Sequence, residues 1–216
     1  MQKKLIEKLE SIIGEDHVIS AQDQLEEYLI DETPRLIAPR PNYESILLKP
    51  KNEKEISEIL KLANEEKISV VPRGGGTGLC GAAIPTEPSI VILLERLNGI
   101  QELDRENLMI RCQAGVTLEK LFEAVEGTDL FFPPHPGDES AHIGGLVAEN
   151  AGGARAVKYG VMREYVKGLK VIWPTGEISR LGGKILKNNS GYDLTHLLIG
   201  NEGTLGIISE ITLRFP

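Results

Sequence analysis

After the apolar run Val70-Val71-Pro72 the sequence reads Arg73-Gly74-Gly75-Gly76-Thr77-Gly78-Leu79-Cys80-Gly81, five glycines within eight residues. Glycine lacks Cβ, so it adopts φ > 0 freely and lets main chain approach a ligand closely. Several in succession can turn consecutive N–H groups inward to form a concave anion site, for which the pyrophosphate of a dinucleotide is the natural guest. The loop has no Gly-Lys-Ser/Thr, which disfavours a nucleotide triphosphatase, and Leu79 stands where a Rossmann fingerprint requires its third glycine. A flexible surface turn is the alternative, although such turns seldom carry this many glycines directly behind a buried strand.

The other chemistry-bearing residues are sparse. His135 lies within Pro134-His135-Pro136 and His142 immediately precedes Ile143-Gly144-Gly145. Neither has the partner that general base work requires, and a surface or satisfied core histidine is the simpler reading. No His/Asp/Glu spacing matches a zinc or facial-triad site, so no metal is expected, and no Gly-x-Ser-x-Gly elbow is present. The stretch from Ile143 through Asn150 to Gly152 and Gly153 is crowded with small residues. Their absent bulk admits either another backbone or a flat ligand.

The elements that must position these residues follow from periodicity. Residues 4–13 form an amphipathic helix stopped by Gly14, and residues 23–29 a short second one. Thr33-Pro34, Ala38-Pro39 and Arg40-Pro41 then force an extended passage in which Arg35 and Arg40 are expected to be solvated. Residues 45–48 read as a strand, Asn52 as the N-cap of a helix with Ile56, Ile59, Leu60 and Ala63 on one face, and residues 68–71 as a second strand. This βαβ unit predicts a parallel pair with the glycine loop at a carboxyl end, the edge where ligands gather. Residues 90–94 make a third strand, and a lobe boundary is expected near Leu97. Beyond it come a hairpin over residues 99–112, a helix capped by Thr117, a stiff proline segment, a hairpin over 165–181, a short helix at 192–198 and an alternating final strand over 206–215.

With 216 residues the chain can bury a sizeable core, and its formal net charge of −8 argues against a broad nucleic-acid footprint. No stretch is apolar for long enough to cross a bilayer, and the N-terminus has no signal-peptide core, so a cytoplasmic location is expected, at most peripheral to the inner membrane face. Cys80 and Cys112 are too few for a disulfide framework.

Taken together and in order, Pro72-Arg73-Gly74-Gly75-Gly76-Thr77-Gly78-Leu79-Cys80-Gly81, Pro134-His135-Pro136, Ile143-Gly144-Gly145, Glu149-Asn150-Ala151-Gly152-Gly153, Lys158-Tyr159-Gly160 and Gly200-Asn201-Glu202-Gly203-Thr204-Leu205-Gly206-Ile207-Ile208 resemble the FAD-binding domain of the vanillyl-alcohol oxidase/p-cresol methylhydroxylase superfamily. The branch most resembled is that of D-lactate dehydrogenase and the glycolate oxidase flavoprotein subunit. The resemblance implies a two-lobed α+β FAD-binding domain, with a small N-terminal βαβ lobe over about residues 1–97 and a larger, mostly antiparallel lobe over about 98–216.

It also implies a site. Arg73, Gly74, Gly75, Gly76, Thr77, Gly78 and Leu79 would hold the pyrophosphate. Pro134, Asp138, His142, Ile143, Gly144, Gly145, Asn150, Gly152 and Gly153 would flank the flavin, while Glu202, Gly206, Ile207 and Ile208 close the opposite side. Thr77 stands where some members carry a flavin-linking histidine, so FAD would be non-covalent. Two features depart from the family's pattern: His135 and Gly137-Asp138 after the prolines, and His142 where threonine is usual.

For the full enzyme the resemblance implies oxidation of a D-2-hydroxy acid by hydride transfer to flavin N5, with electrons leaving to an electron-transferring flavoprotein or another redox partner. The family's substrate-binding cap domain has no counterpart in this sequence, so no catalytic residue is assigned and the chain by itself is expected to be inactive. Two other readings remain: a non-catalytic FAD-binding subunit completed by a partner chain, and another flavoenzyme of the same fold, such as UDP-N-acetylenolpyruvoylglucosamine reductase.

Overall fold

The computed structural model describes residues 2–216, the side chain of Gln2 excepted. In chain order the elements are α1 (Gln2–Ile13), β1 (Val18–Ile19), α2 (Gln22–Leu25), β2 (Ile46–Leu48), α3 (Glu53–Glu66), β3 (Ser69–Arg73), β4 (Ser89–Leu93), β5 (Ile100–Asp104), β6 (Met109–Gln113), α4 (Leu118–Val125), α5 (Ile143–Ala148), α6 (Ala156–Tyr159), β7 (Val166–Ile172), β8 (Ile178–Gly182), α7 (Leu194–Leu197) and β9 (Ile207–Arg214). Three 3-10 turns, Glu15–His17, Glu26–Tyr28 and Met162–Glu164, complete the set.

The first sheet has strand order β1-β2-β4-β3, with β2, β4 and β3 parallel and β1 antiparallel at the edge. The two strands of the βαβ unit are parallel as expected, but they do not pair with each other. β4 inserts between them, Ile90 facing Ile46 on one side and Val70 on the other. Its sequence Ser-Ile-Val-Ile-Leu is buried at every position, and a strand covered on both faces belongs at the centre of a parallel sheet.

The second sheet is antiparallel throughout, in the order β5-β6-β9-β7-β8. The expected alternation in β9 is absent: seven of its eight residues are buried, including Ser209, Glu210 and Thr212. Polar groups reach this interior because they are satisfied there. Glu210 accepts from Arg180 at 2.6 Å, and Ser209 Oγ donates to the Lys170 carbonyl at 3.3 Å. The segment Leu130-Phe131-Phe132 joins neither sheet, and the last helix is the shorter α7, capped by Asp193 accepting from His196 N–H at 3.0 Å.

Helix α3 sets the relation between the sheets. Asn52 Oδ1 accepts from the Glu55 N–H at 2.9 Å, Glu55 reaches back to the Lys51 N–H at 2.8 Å, and Lys67 ends the helix in the left-handed conformation. One face packs on the first sheet. The other is pinned to the β7–β8 turn: Ser57 Oγ donates to the Gly176 carbonyl, Asn64 donates to the Pro174 carbonyl, and Lys170 pairs with Glu53 at 3.0 Å. One apolar cluster consequently runs through both sheets, from Leu48 and Ile92 to Ile110, Ile211 and Phe215. Among the described residues no helix is long and apolar enough to cross a membrane.

Candidate functional site

A cavity of about 420 Å³ opens at the carboxyl ends of β3 and β4, between the two sheets. Its floor is the loop leaving β3. The Arg73 carbonyl accepts from the Leu94 N–H at 3.0 Å, after which the chain swings through Gly76 at φ +75°. Arg73 is only 6% exposed, and its guanidinium donates to the carbonyls of Ile30 (2.7 Å) and Glu27 (3.4 Å). Its charge therefore faces the segment after α2, where it fixes the loop from behind. A Cβ on Gly76 would overlap that guanidinium. The Gly78 carbonyl accepts from the Glu32 N–H at 3.0 Å, so the N-terminal segment clasps the loop at two places.

Helix α5 forms the facing wall and divides its two glycines between two tasks. The Gly144 N–H donates to the Ala114 carbonyl at 2.8 Å, and a Cβ on Gly144 would come within 2.6 Å of the Ala114 Cβ. Both glycines line the cavity, but Gly145 has nothing within 4 Å of where its Cβ would stand. The small-residue run thus serves close backbone packing and an open cavity face at once. Glu202, Gly203, Gly206, Ile207 and Ile208 close the third side. Glu202 holds φ +52° while its N–H donates to the Ala148 carbonyl at 3.0 Å.

Of the residues singled out from the sequence, Arg73, Gly74, Gly75, Gly76, Thr77, Gly78, Leu79, Asp138, His142, Gly144, Gly145, Gly152, Glu202, Gly206, Ile207 and Ile208 line this one cavity. Four do not. Pro134 is buried, with Pro136 at the wall instead. Ile143 lies wholly in the core. Asn150, at φ +50°, accepts from the Arg163 N–H at 3.0 Å. Gly153 lies against the His135 carbonyl, which a Cβ there would overlap. These four shape the wall from outside. Arg35 and Arg40 are exposed and do not line the cavity.

Sequence reasoning missed Asp31, Cys80 and Glu149 as wall residues. The Cys80 Sγ donates to Glu149 Oε2 at 3.3 Å, and these atoms lie with a Glu202 carboxylate oxygen within 4.8 Å of one another. Desolvation raises the Glu149 carboxyl above its ordinary range, with the Cys80 hydrogen bond opposing the shift and the Glu202 and Asp31 charges adding to it. Desolvation and the Glu149 contact likewise raise the Cys80 thiol, so it stays protonated near neutrality. Asp138 is held low by the hydroxyl and N–H of Ser140, at 2.7 and 2.8 Å. His142 is pushed below 6.5 by burial, with Arg73 adding to the effect and Glu95 opposing it. Buried Cys112 is pushed up to about 12 by desolvation and is inert.

A glycine-floored, largely apolar cavity at strand carboxyl ends suits a dinucleotide, with backbone at the floor and open space over Gly145. A family model described as "FAD binding domain" matches residues 45–182. The chain belongs to this FAD-binding domain family. Its cofactor is FAD, and the floor and α5 wall fall within the matched span. The chain is 52% identical over 190 residues to the D-lactate dehydrogenase of Archaeoglobus fulgidus, covering 88% of this chain and 43% of that protein. To the glycolate oxidase subunit GlcD of Bacillus subtilis it is 46% identical over 178 residues, covering 81% and 38%. This FAD-binding domain therefore spans about two fifths of the length of the curated relatives it matches. A solved structure of alkyldihydroxyacetonephosphate synthase superposes with a TM-score of 0.83 at 21% identity, covering 99% of this chain and 40% of that one. Such a likeness fixes the fold, which is the p-cresol methylhydroxylase type expected from the sequence.

Proposed function

We propose that the chain is the FAD-holding part of a flavin-dependent oxidoreductase that oxidises a D-2-hydroxy acid of the lactate or glycolate type. The observation that carries this reading is the convergence of the glycine loop, the open face of α5 and the Gly206-Ile207-Ile208 wall on one cavity, in a chain resembling D-lactate dehydrogenase and a glycolate oxidase subunit. When bound, FAD would supply a flavin N5 that accepts the substrate's Cα hydride.

The residues present divide the holding of FAD among themselves. The backbone of residues 74–79 would meet the pyrophosphate, and Arg73 would stiffen that backbone from behind without touching the ligand. Gly145 and Gly152 would leave room for the flat portion, while Ile207 and Ile208 exclude water from the opposite face. Thr77 offers no nucleophile of the histidine type, so attachment would be non-covalent. Electrons would leave to an electron-transferring flavoprotein or another redox partner, in a cytoplasmic setting that includes the inner membrane face.

The visible spectrum of the purified chain, followed by heat release and chromatography, tests the first half of the reading. The expected result is a yellow protein releasing a flavin of FAD size. A colourless chain that also fails to take up added FAD would overturn the site. The substrate half is tested on the full-length protein: anaerobic D-lactate or glycolate should bleach the flavin band, and retention of the oxidised spectrum with both acids would overturn the hydroxy-acid assignment.

A further inference from the structure

The charges around the cavity are poorly matched to the ligand proposed for it. The wall carries the carboxyl groups of Asp31, Asp138, Glu149 and Glu202, while among the described lining residues Arg73 is the one permanent cation. That cation is turned away, its guanidinium committed to the Ile30 and Glu27 carbonyls. A dianionic diphosphate entering here meets backbone N–H groups but no directed side-chain charge.

His142 is placed to change this. Its ring lies against the floor: a Cβ on Gly74 would stand 3.3 Å from the His142 Cβ and 3.7 Å from Nδ1, and one on Gly75 would stand 3.5 Å from Cδ2. Nδ1 is buried with no hydrogen-bond partner among the described residues, although the ring lines the cavity. An orphaned buried polar atom of this kind is unfavourable unless something satisfies it. The charged groups that act on the ring are Arg73 beneath the loop and Glu95 beyond β4, with Asp138 on its own segment lining the same cavity. Gly74 and Gly75 bring no charge.

On the reading that FAD occupies this cavity, we propose that His142 binds it as an imidazolium, taking one proton from solvent when the diphosphate enters. Without ligand, desolvation keeps the imidazole neutral above pH 6.5. With a dianion beside the ring, the charged form gains a partner and its pKa rises. The sign follows: affinity for FAD should increase as pH falls from about 8 towards about 6.5, by up to about tenfold per pH unit for one linked proton.

Isothermal calorimetry of FAD binding to the purified chain near pH 7, in buffers of contrasting ionisation enthalpy, counts the proton directly. Close to one proton should be taken up by the wild type, and His142→Gln should bind FAD without that uptake and with a flattened pH dependence. Zero uptake in the wild type, or uptake undiminished in His142→Gln, overturns the proposal. So does uptake lost instead in Glu149→Gln, which would place the proton on that carboxyl. These failures all occur with FAD bound, so they leave the cavity reading intact; only the absence of FAD binding to the wild type strikes that reading. Should His142→Gln not fold, NMR titration of the wild-type histidine ring signals decides. One signal should titrate below pH 6.5 in the unliganded chain and above it with FAD, and four signals unmoved by FAD overturn the proposal.

Discussion

A Cβ added at Gly145 would meet nothing within 4 Å beyond its chain neighbours and its own helix backbone, whereas one at Gly76 would strike the Arg73 guanidinium and one at Gly153 the His135 carbonyl. Three glycines, one from each of three motifs, thus answer to different demands. Gly145→Val should leave folding unharmed, because valine has the higher helix propensity, while its methyl groups enter the cavity. FAD affinity should fall at least tenfold, equivalent to about 1.4 kcal/mol, with the melting temperature of the unliganded chain unchanged or higher. Gly76→Val should lose both properties: the left-handed backbone alone costs a β-branched residue about 1–2 kcal/mol, and the clash displaces Arg73. Fluorescence titration with FAD beside thermal melts of both variants checks the contrast. Equal affinity in Gly145→Val and the wild type would refute the cavity wall.

At the scale of elements, α3 depends on a compact cap. Asn52 accepts from the Glu55 N–H while donating to the Glu55 carboxylate at 3.1 Å, and that carboxylate also holds the Lys51 N–H. Asn52→Ala should therefore destabilise the chain by about 1 kcal/mol, read as a lower urea midpoint with an unchanged slope. This helix was legible from the spacing of Ile56, Ile59, Leu60 and Ala63, and so was its cap, because both are local signals. The glycine loop was legible for the same reason. The place of β4 was not: strand order depends on pairing across residues far apart in sequence, and nothing in Ser89-Ile90-Val91-Ile92-Leu93 says which neighbours it will take. The wall role of Asp31 escaped because its segment meets the loop through contacts distant in sequence, among them the Arg73 and Gly78 clasps. The outward fate of Pro134, Ile143, Asn150 and Gly153 escaped because side-chain direction follows from how each turn is rotated. Motif membership does not carry that information.

For the molecule as a whole, the cavity exists only while the two sheets keep their relative placement. That placement is held by the shared apolar cluster and by the seam between α3 and the β7–β8 turn. Gly176 lies at the centre of the seam at φ +83°, and a Cβ there would come within 2.7 Å of Lys61 and 2.8 Å of the Ser57 carbonyl. Lys61 can move aside, but the Ser57 carbonyl belongs to the helix backbone. The sole tryptophan, Trp173, stands beside this turn, its Nε1 donating to Ser179 Oγ at 2.8 Å. Its fluorescence therefore reports on the seam, while far-UV circular dichroism reports on the elements. Because one core runs through both sheets, the two signals should give a single coincident urea transition in the wild type. Gly176→Val should lower stability by about 2 kcal/mol, combining left-handed strain with loss of the Ser57 contact. It should also weaken FAD binding, although Gly176 does not line the cavity. Lys170→Ala removes only the partly exposed ion pair to Glu53, and its cost should stay within about 1 kcal/mol. A tryptophan transition that precedes the circular-dichroism transition in the wild type would mean that the sheets part before they unfold, and the cavity would then owe its shape to the bound cofactor more than to the shared core.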